Sequence, residues 1–171
     1  MRVNEILELC AIMLGEEPND GDEVKDRDLL LKCYNLVEQE LATDYFPILE
    51  VDKHFNVEDK IYYKDFSRKP YMIKGIQDFH GDSVYYVITP EYVQLKKNYD
   101  GRTFFVKYYY IPEEKELYSH STYGADYLHI LKYGVAAEYF LAQGKFELAK
   151  IYSDKYKERI KNKGPKKKRW E

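Results

Sequence analysis

Residues 103–112 read TFFVKYYYIP, and this stretch decides how the chain is built. Successive side chains alternate across a strand, so Phe104, Val106, Tyr108 and Tyr110 fall on one face of it. Upstream, the period of two extends back to Ile48. It predicts strands over residues 61–66, 71–79 and 83–89, all rich in Tyr, Phe, Val and Ile. His80-Gly81-Asp82 supplies a hairpin turn and Asp100-Gly101 a second turn before the last strand. Gly75 interrupts the alternation set by Tyr71 and Ile73, and a bulge there lets Ile76 rejoin the buried face. Four or five such strands make a small antiparallel barrel or sandwich that needs a lid.

On both sides of this region the period is helical. Toward the N-terminus, Ile6, Leu7, Cys10, Met13 and Leu14 predict a helix from Asn4, as N-cap, to Leu14, closed by Gly15. The acidic loop EEPNDGDE follows. A second helix is expected from Val24 to Tyr45, striped by Leu30, Cys33, Leu36 or Val37, Leu41 and Tyr45, with Pro47 ending it. Toward the C-terminus, Leu128, Leu131, Val135, Tyr139 and Ala142 form one stripe. Phe146, Ala149, Tyr152, Tyr156 and Ile160 form another, and Gln143-Gly144-Lys145 joins the two helices into an antiparallel hairpin. No second copy of that hairpin recurs at a fixed period, so a solenoid is not expected. The fold class is α+β: a four-helix body from residues 1–47 and 118–163, an inserted β-rich subdomain over residues 48–117, and a basic tail over residues 164–171.

The 171 residues suffice for one domain or for a body with one insertion, and 44% hydrophobic with 33% charged residues fits a folded chain. Twelve of the 19 tyrosines lie between Ile61 and Tyr123, where an apolar ring with a polar tip suits half-buried sheet faces and interfaces. Residues 1–60 carry 6 basic and 16 acidic side chains, whereas residues 145–171 carry 11 basic and 4 acidic. Such polarity serves head-to-tail association of copies, docking between an acidic and a basic partner, or an intramolecular match of the two ends. Cys10 and Cys33 sit among apolar neighbours and read as buried small hydrophobes in a reducing compartment. The N-terminal apolar run, broken by Glu5 and Glu8, reads as neither a signal peptide nor a membrane span.

Catalytic and metal signatures are not found in the sequence. His54, His80, His120 and His129 are scattered through a loop, a turn, a second loop and a helix, without zinc spacing. His120, between Ser119 and Ser121, reads as a polar loop leading to a helix N-cap. The acidic loop lacks the alternating ligands of a calcium site. Glu38 and Glu40, two apart on a helix, point to different faces and do not make an acid/base pair. Neither GxxxxGK[ST] nor GxGxxG occurs. No catalytic, cofactor-binding or metal-binding residue is assigned, and a protein without turnover is expected. An enzyme whose site is assembled from dispersed residues is the alternative.

The tail GPKKKRWE is cut from the last helix by Gly164-Pro165. Lys166, Lys167, Lys168, Arg169 and Trp170 are the candidate partner-binding residues, with Trp170 as anchor in a groove of another protein. A nucleic-acid arm and a solvated end are the other readings of the same residues.

The segments VNEILELCAIMLG (residues 3–15), LLLKCYNLVEQELATDYFP (residues 29–47), TFFVKYYYIP after a turn glycine, and YGVAAEYFLAQGKFELAKIYSDKY (residues 133–156) resemble the head-to-tail adaptor, or connector, proteins of tailed bacteriophages. These are also called head-completion or neck proteins. The resemblance is carried by diffuse apolar patterns over most of residues 1–165. It implies a helical body with a β-rich insertion, a ring usually of twelve copies between the portal and the tail or a second neck protein, and a C-terminal segment docked on the portal. It also implies a channel for packaged DNA, and residence in the virion neck after assembly in the host cytoplasm. It implies neither a cofactor nor a membrane. A small nucleic-acid-binding protein using the basic tail is the competing function.

Overall fold

The computed structural model describes residues 1–15, 26–56, 58–96 and 102–164. The fold is α+β, with four α-helices and two small antiparallel sheets among these residues. The chain divides into two compact units, Met1–Tyr45 with Glu113–Glu171, and Phe46–Pro112.

In the first unit, α1 (Val3–Met13), α2 (Arg27–Glu40), α3 (Leu128–Ala142) and α4 (Phe146–Lys163) pack around α3. Leu30, Val37, Leu41, Leu131, Val135, Tyr139 and Ala149 are all buried, and both cysteines are buried free thiols. Tyr152, on the same stripe, is only half-buried. Between Leu36 and Val37, it is Val37 that faces the core. The connection from α3 to α4 turns at Gly144, whose φ of 71° favours glycine. Gly134 has a different reason: a Cβ there would lie 2.7 Å from Val37 Cγ1 and 3.0 Å from Tyr156 Cε2, so α2 and α4 both close on α3 at that point.

Two boundaries and one burial pattern differ from the sequence expectation. Asn4 lies inside α1 rather than capping it. Arg2 precedes the helix and its amide donates to Glu5 Oε2 at 3.0 Å, while the amides of Val3 and Asn4 donate to the carbonyls of Ser119 and Leu117. The second helix keeps α geometry only to Glu40 and continues as a π-helical turn, Leu41–Tyr45. Within that turn, Thr43 Oγ1 donates back to the carbonyls of Gln39 and Glu40, a bond that loosens the helical ladder. Val24 lies outside the described residues. Phe146, expected on a buried stripe, is exposed at the start of α4, as are Leu148 and Ile151.

The second unit holds β1 (Ile48–Asn56), β2 (Lys60–Tyr62), β3 (Pro70–Asp78), β4 (Tyr86–Ile88), β5 (Tyr92–Leu95) and β6 (Arg102–Tyr110). They form two sheets of order β1-β6-β3 and β2-β5-β4. The two sheets share one apolar cluster, from Ile61, Val93 and Leu95 on one to Ile73, Ile76, Phe104, Val106 and Tyr108 on the other. Neither closes into a barrel. The expected strand over 61–66 is only three residues of β2, followed by a 3₁₀ turn, Tyr63–Asp65. The expected strand over 83–89 shortens to β4, since Ser83 makes only an isolated bridge to Gln77 before the chain enters the second sheet.

Two strands, β1 and β5, are additional to those expected. The Gly75 bulge is present: pairing slips between Ile73 and Gly75, Lys74 is the extra residue, and Ile73 and Ile76 are both buried. The turn at residues 78–82 forms as well, with Gly81 at φ 86° and Asp78 Oδ1 accepting the amides of His80 and Asp82. Asp100-Gly101 and the acidic loop lie outside the described residues.

Candidate functional site

Three sets of polar groups and one apolar face are the candidates. The first set begins with Glu38, only 1% exposed in the first unit. Its Oε1 accepts from Tyr34 Oη at 2.6 Å, from the Thr122 amide at 2.7 Å and from Ser121 Oγ at 3.3 Å, whereas Oε2 has no hydrogen-bond partner. Burial, then the adjacent carboxylate, pushes the Tyr34 phenol far up, so it stays a donor. A buried carboxylate held by two hydroxyls and an amide ties the 113–124 loop to α2. The loop of His120 is thereby accounted for: His120 bridges Arg2, and no side chain caps the following 3₁₀ turn, Ala125–Tyr127. Glu40 accepts from Tyr156 Oη at 3.1 Å, and burial raises its carboxyl. Glu38 and Glu40 thus serve separate contacts.

The second set lies on the inward face of β1, in the other unit. Asp52 accepts from Ser67 Oγ at 2.6 Å, from the Ser67 amide at 2.7 Å and from Tyr108 Oη at 2.8 Å. Burial alone would raise its carboxyl, but these donors hold it below the usual carboxylate range. The Tyr108 phenol is pushed up to about 12 by burial and by Asp52. His54, expected in a loop, sits on β1 with Nε2 4.0 Å from Asp52 Oδ2 and its ring 4.8 Å from that of Phe66. Burial lowers its pKa against the pull of Asp52 and Asp65.

A serine, a histidine and an aspartate therefore meet, but in the wrong order for nucleophilic catalysis. Ser67 Oγ is bonded to Asp52 and lies 3.1 Å from Tyr108 Oη, with no bond to the imidazole that would have to take its proton. The arrangement pins the 63–69 turn to the sheet.

The third set lines a cleft of about 360 Å³ beside Asp78, Phe79, His80, Arg102 and Thr103. Asp78 is committed to its own turn. An apolar cleft of about 190 Å³ lies beside Tyr63, Tyr71, Met72 and Ile88. Among the described residues no three His, Cys, Asp or Glu side chains come together to hold a metal ion, and no helix is long and apolar enough to cross a membrane.

The apolar face is the outward side of β1-β6-β3. Leu49 is 48% exposed, Val51 45% and Phe55 66%, on a strand whose inward positions are Glu50, Asp52 and His54. Beside them run Phe105, Lys107 and Tyr109 of β6, paired in register with Lys53, Val51 and Leu49. Sequence reading did not single this face out, because alternation reports two faces without saying which is inside. No family model and no curated protein matches this chain. Lys166, Lys167, Lys168, Arg169 and Trp170 lie outside the described residues.

Proposed function

We propose that this protein is a structural assembly component of the head-to-tail adaptor type. It would sit as a ring in the neck of a tailed-phage virion, between the portal and a tail or second neck protein, after assembly in the host cytoplasm. In this reading it catalyses no reaction and docks on the portal through Lys166–Trp170, with packaged DNA passing through the ring. The observation that carries the reading is the outward face of β1: three large apolar side chains exposed on an edge strand, with Lys53 the one charge among them, while Glu50, Asp52 and His54 point inward. An edge strand ordinarily blunts itself with outward charge, and a row in which a single lysine stands among three large apolar side chains is a candidate for a partner. A helical body with a β-rich insertion is also the architecture that the resemblance implies.

The test is to mix the purified full-length protein with portal rings and image the mixture by negative stain, beside a form lacking residues 165–171. Decorated portals with the full chain and bare portals with the truncated one are expected. Bare portals with both forms would remove the adaptor reading. The nucleic-acid reading keeps one support, since Lys53, Lys74 and Lys107 lie among the aromatic side chains of the same sheet. It requires salt-sensitive retention of DNA that is lost with the tail.

A further inference from the structure

Two exposed faces, one on each unit, are apolar and opposite in charge. On α1, Glu5, Glu8, Leu9 and Ile12 follow at helical three- and four-residue spacing, and all are exposed, Leu9 at 41% and Ile12 at 55%. The other side of α1 buries Val3, Ile6, Leu7, Cys10 and Ala11. The helix is therefore apolar on two sides, and between Val3 and Met13 it carries no basic residue. The outward face of β1 and β6 has the reverse charge: Lys53 and Lys107 stand among Leu49, Val51 and Phe55, and Lys74 Nζ lies 5.2 Å from the Tyr109 ring centre. No outward position of either strand holds an aspartate or glutamate.

We propose that the outward β1/β6 face of one copy receives the α1 stripe of a second copy. Leu9 and Ile12 pack on Val51 and Phe55, and Glu8, with Glu5 beside it, lies against Lys53 and Lys107. The whole stripe from Glu5 to Ile12 rises about 10 Å along a helix, so its apolar and acidic side chains together can cover the Val51 to Phe55 stretch, which spans about 13 Å of strand. Desolvating apolar groups at the centre supplies affinity, and the opposed charges fix orientation and hasten encounter. A second copy fits because the chain itself carries the acidic, apolar stripe that complements this face, and stacking of bases on Phe55, Phe105 and Tyr109 is the competing outcome of the test. The two surfaces differ, so the contact is heterologous and repeats from copy to copy, closing a ring or running on as a filament. This names the self-association surface of the adaptor reading and rests on it only for the size of the closed assembly.

The experiment is sedimentation velocity on the full-length protein over a concentration series, with two double variants. Leu9→Lys/Ile12→Lys removes the stripe, and Val51→Glu/Phe55→Glu removes the sheet face. Wild type should associate beyond a dimer, and each variant alone should stay monomeric, its association weakened at least about thirtyfold. Their equimolar mixture should stop at a dimer, because one intact contact remains between the two partners. Glu8→Lys should weaken association and Lys53→Glu in the same chain should restore it, a result that a misfolded variant cannot give. Wild type that remains monomeric throughout, variants that assemble like wild type, or a mixture that remains monomeric would each overturn the proposal. So would loss of single-stranded oligonucleotide retention in the sheet variant with self-association unchanged. Portal decoration is a separate readout, so failure of this contact and failure of the adaptor reading are told apart.

Discussion

β1 and β6 pair over nine residues in perfect antiparallel register, yet they are built in opposite senses. β6 turns Phe104, Val106 and Tyr108 inward and buries them completely, whereas β1 turns Asp52 and His54 inward and leaves Leu49, Val51 and Phe55 in solvent. Folding explains the first strand: burying a large apolar side chain stabilises by roughly 1.5–3 kcal/mol. It explains the second less well, since Leu49, Val51 and Phe55 keep about half or more of their surface in solvent and the half-buried Asp52 carboxylate is held by three donors. The difference teaches that β6 is built for the core, whereas the outward row of β1 is the face that the proposed contact would cover.

Several measurements would break or sharpen this comparison. Truncating Phe104 to Ala should cost about 3–5 kcal/mol, because it opens a cavity between the two sheets. Chemical denaturation checks it, and a loss below about 1 kcal/mol would mean that β6 is not the core strand. Asp52→Ala should cost less, about 1–3 kcal/mol, by leaving the Ser67 amide without its acceptor and removing the carboxylate that Ser67 Oγ and Tyr108 Oη share. A neutral result would show that the inward polar face of β1 is solvated.

A smaller effect concerns pH. The folded pKa of His54 is depressed below 6.5, so as pH falls through 6.5 the unfolded chain takes up a proton that the folded chain does not. Stability should therefore fall from pH 6.5 down to the folded pKa, and His54→Phe should flatten that part of the thermal-midpoint profile. Asp52, with its pKa lowered, contributes stability above its unfolded value, which is lost only as pH falls through the lower folded value. An identical pH profile for the His54 variant would place the imidazole in water. Smallest of all, Val51→Glu/Phe55→Glu should change stability by no more than about 0.5 kcal/mol per site. A large loss there would turn the β1 face into a hidden core.

The same contrast accounts for what could be read in the sequence. β6, the Gly75 bulge, the 78–82 turn and the α3–α4 hairpin were legible, because each combines an apolar period with a glycine or turn signal that tertiary packing does not reverse. β1 was not, since ILEVDKHFN carries its polar residues inward, and their partners Ser67 and Tyr108 are 15 and 56 residues away from Asp52. The caps were missed for a related reason. The first amides of α1 are satisfied by carbonyls of residues 117–119, more than a hundred positions along the chain. Glu38 was legible as a helical carboxylate but not as a buried one, because its acceptors' partners arrive from the loop at Ser121 and Thr122. The candidate docking face was equally hidden: exposure of an apolar row is a property of the assembled sheet, and no local signal announces it.

The central claim is that the outward β1 face is open in the single chain and covered on assembly. Hydroxyl-radical footprinting of the full-length protein, read by mass spectrometry in dilute and in concentrated solution, tests it side chain by side chain. The account predicts strong labelling of Phe55 in the dilute protein, its loss on concentration, and protection of Phe104 in both. Protection of Phe55 in the dilute protein, or equal labelling of it at both concentrations, would contradict it.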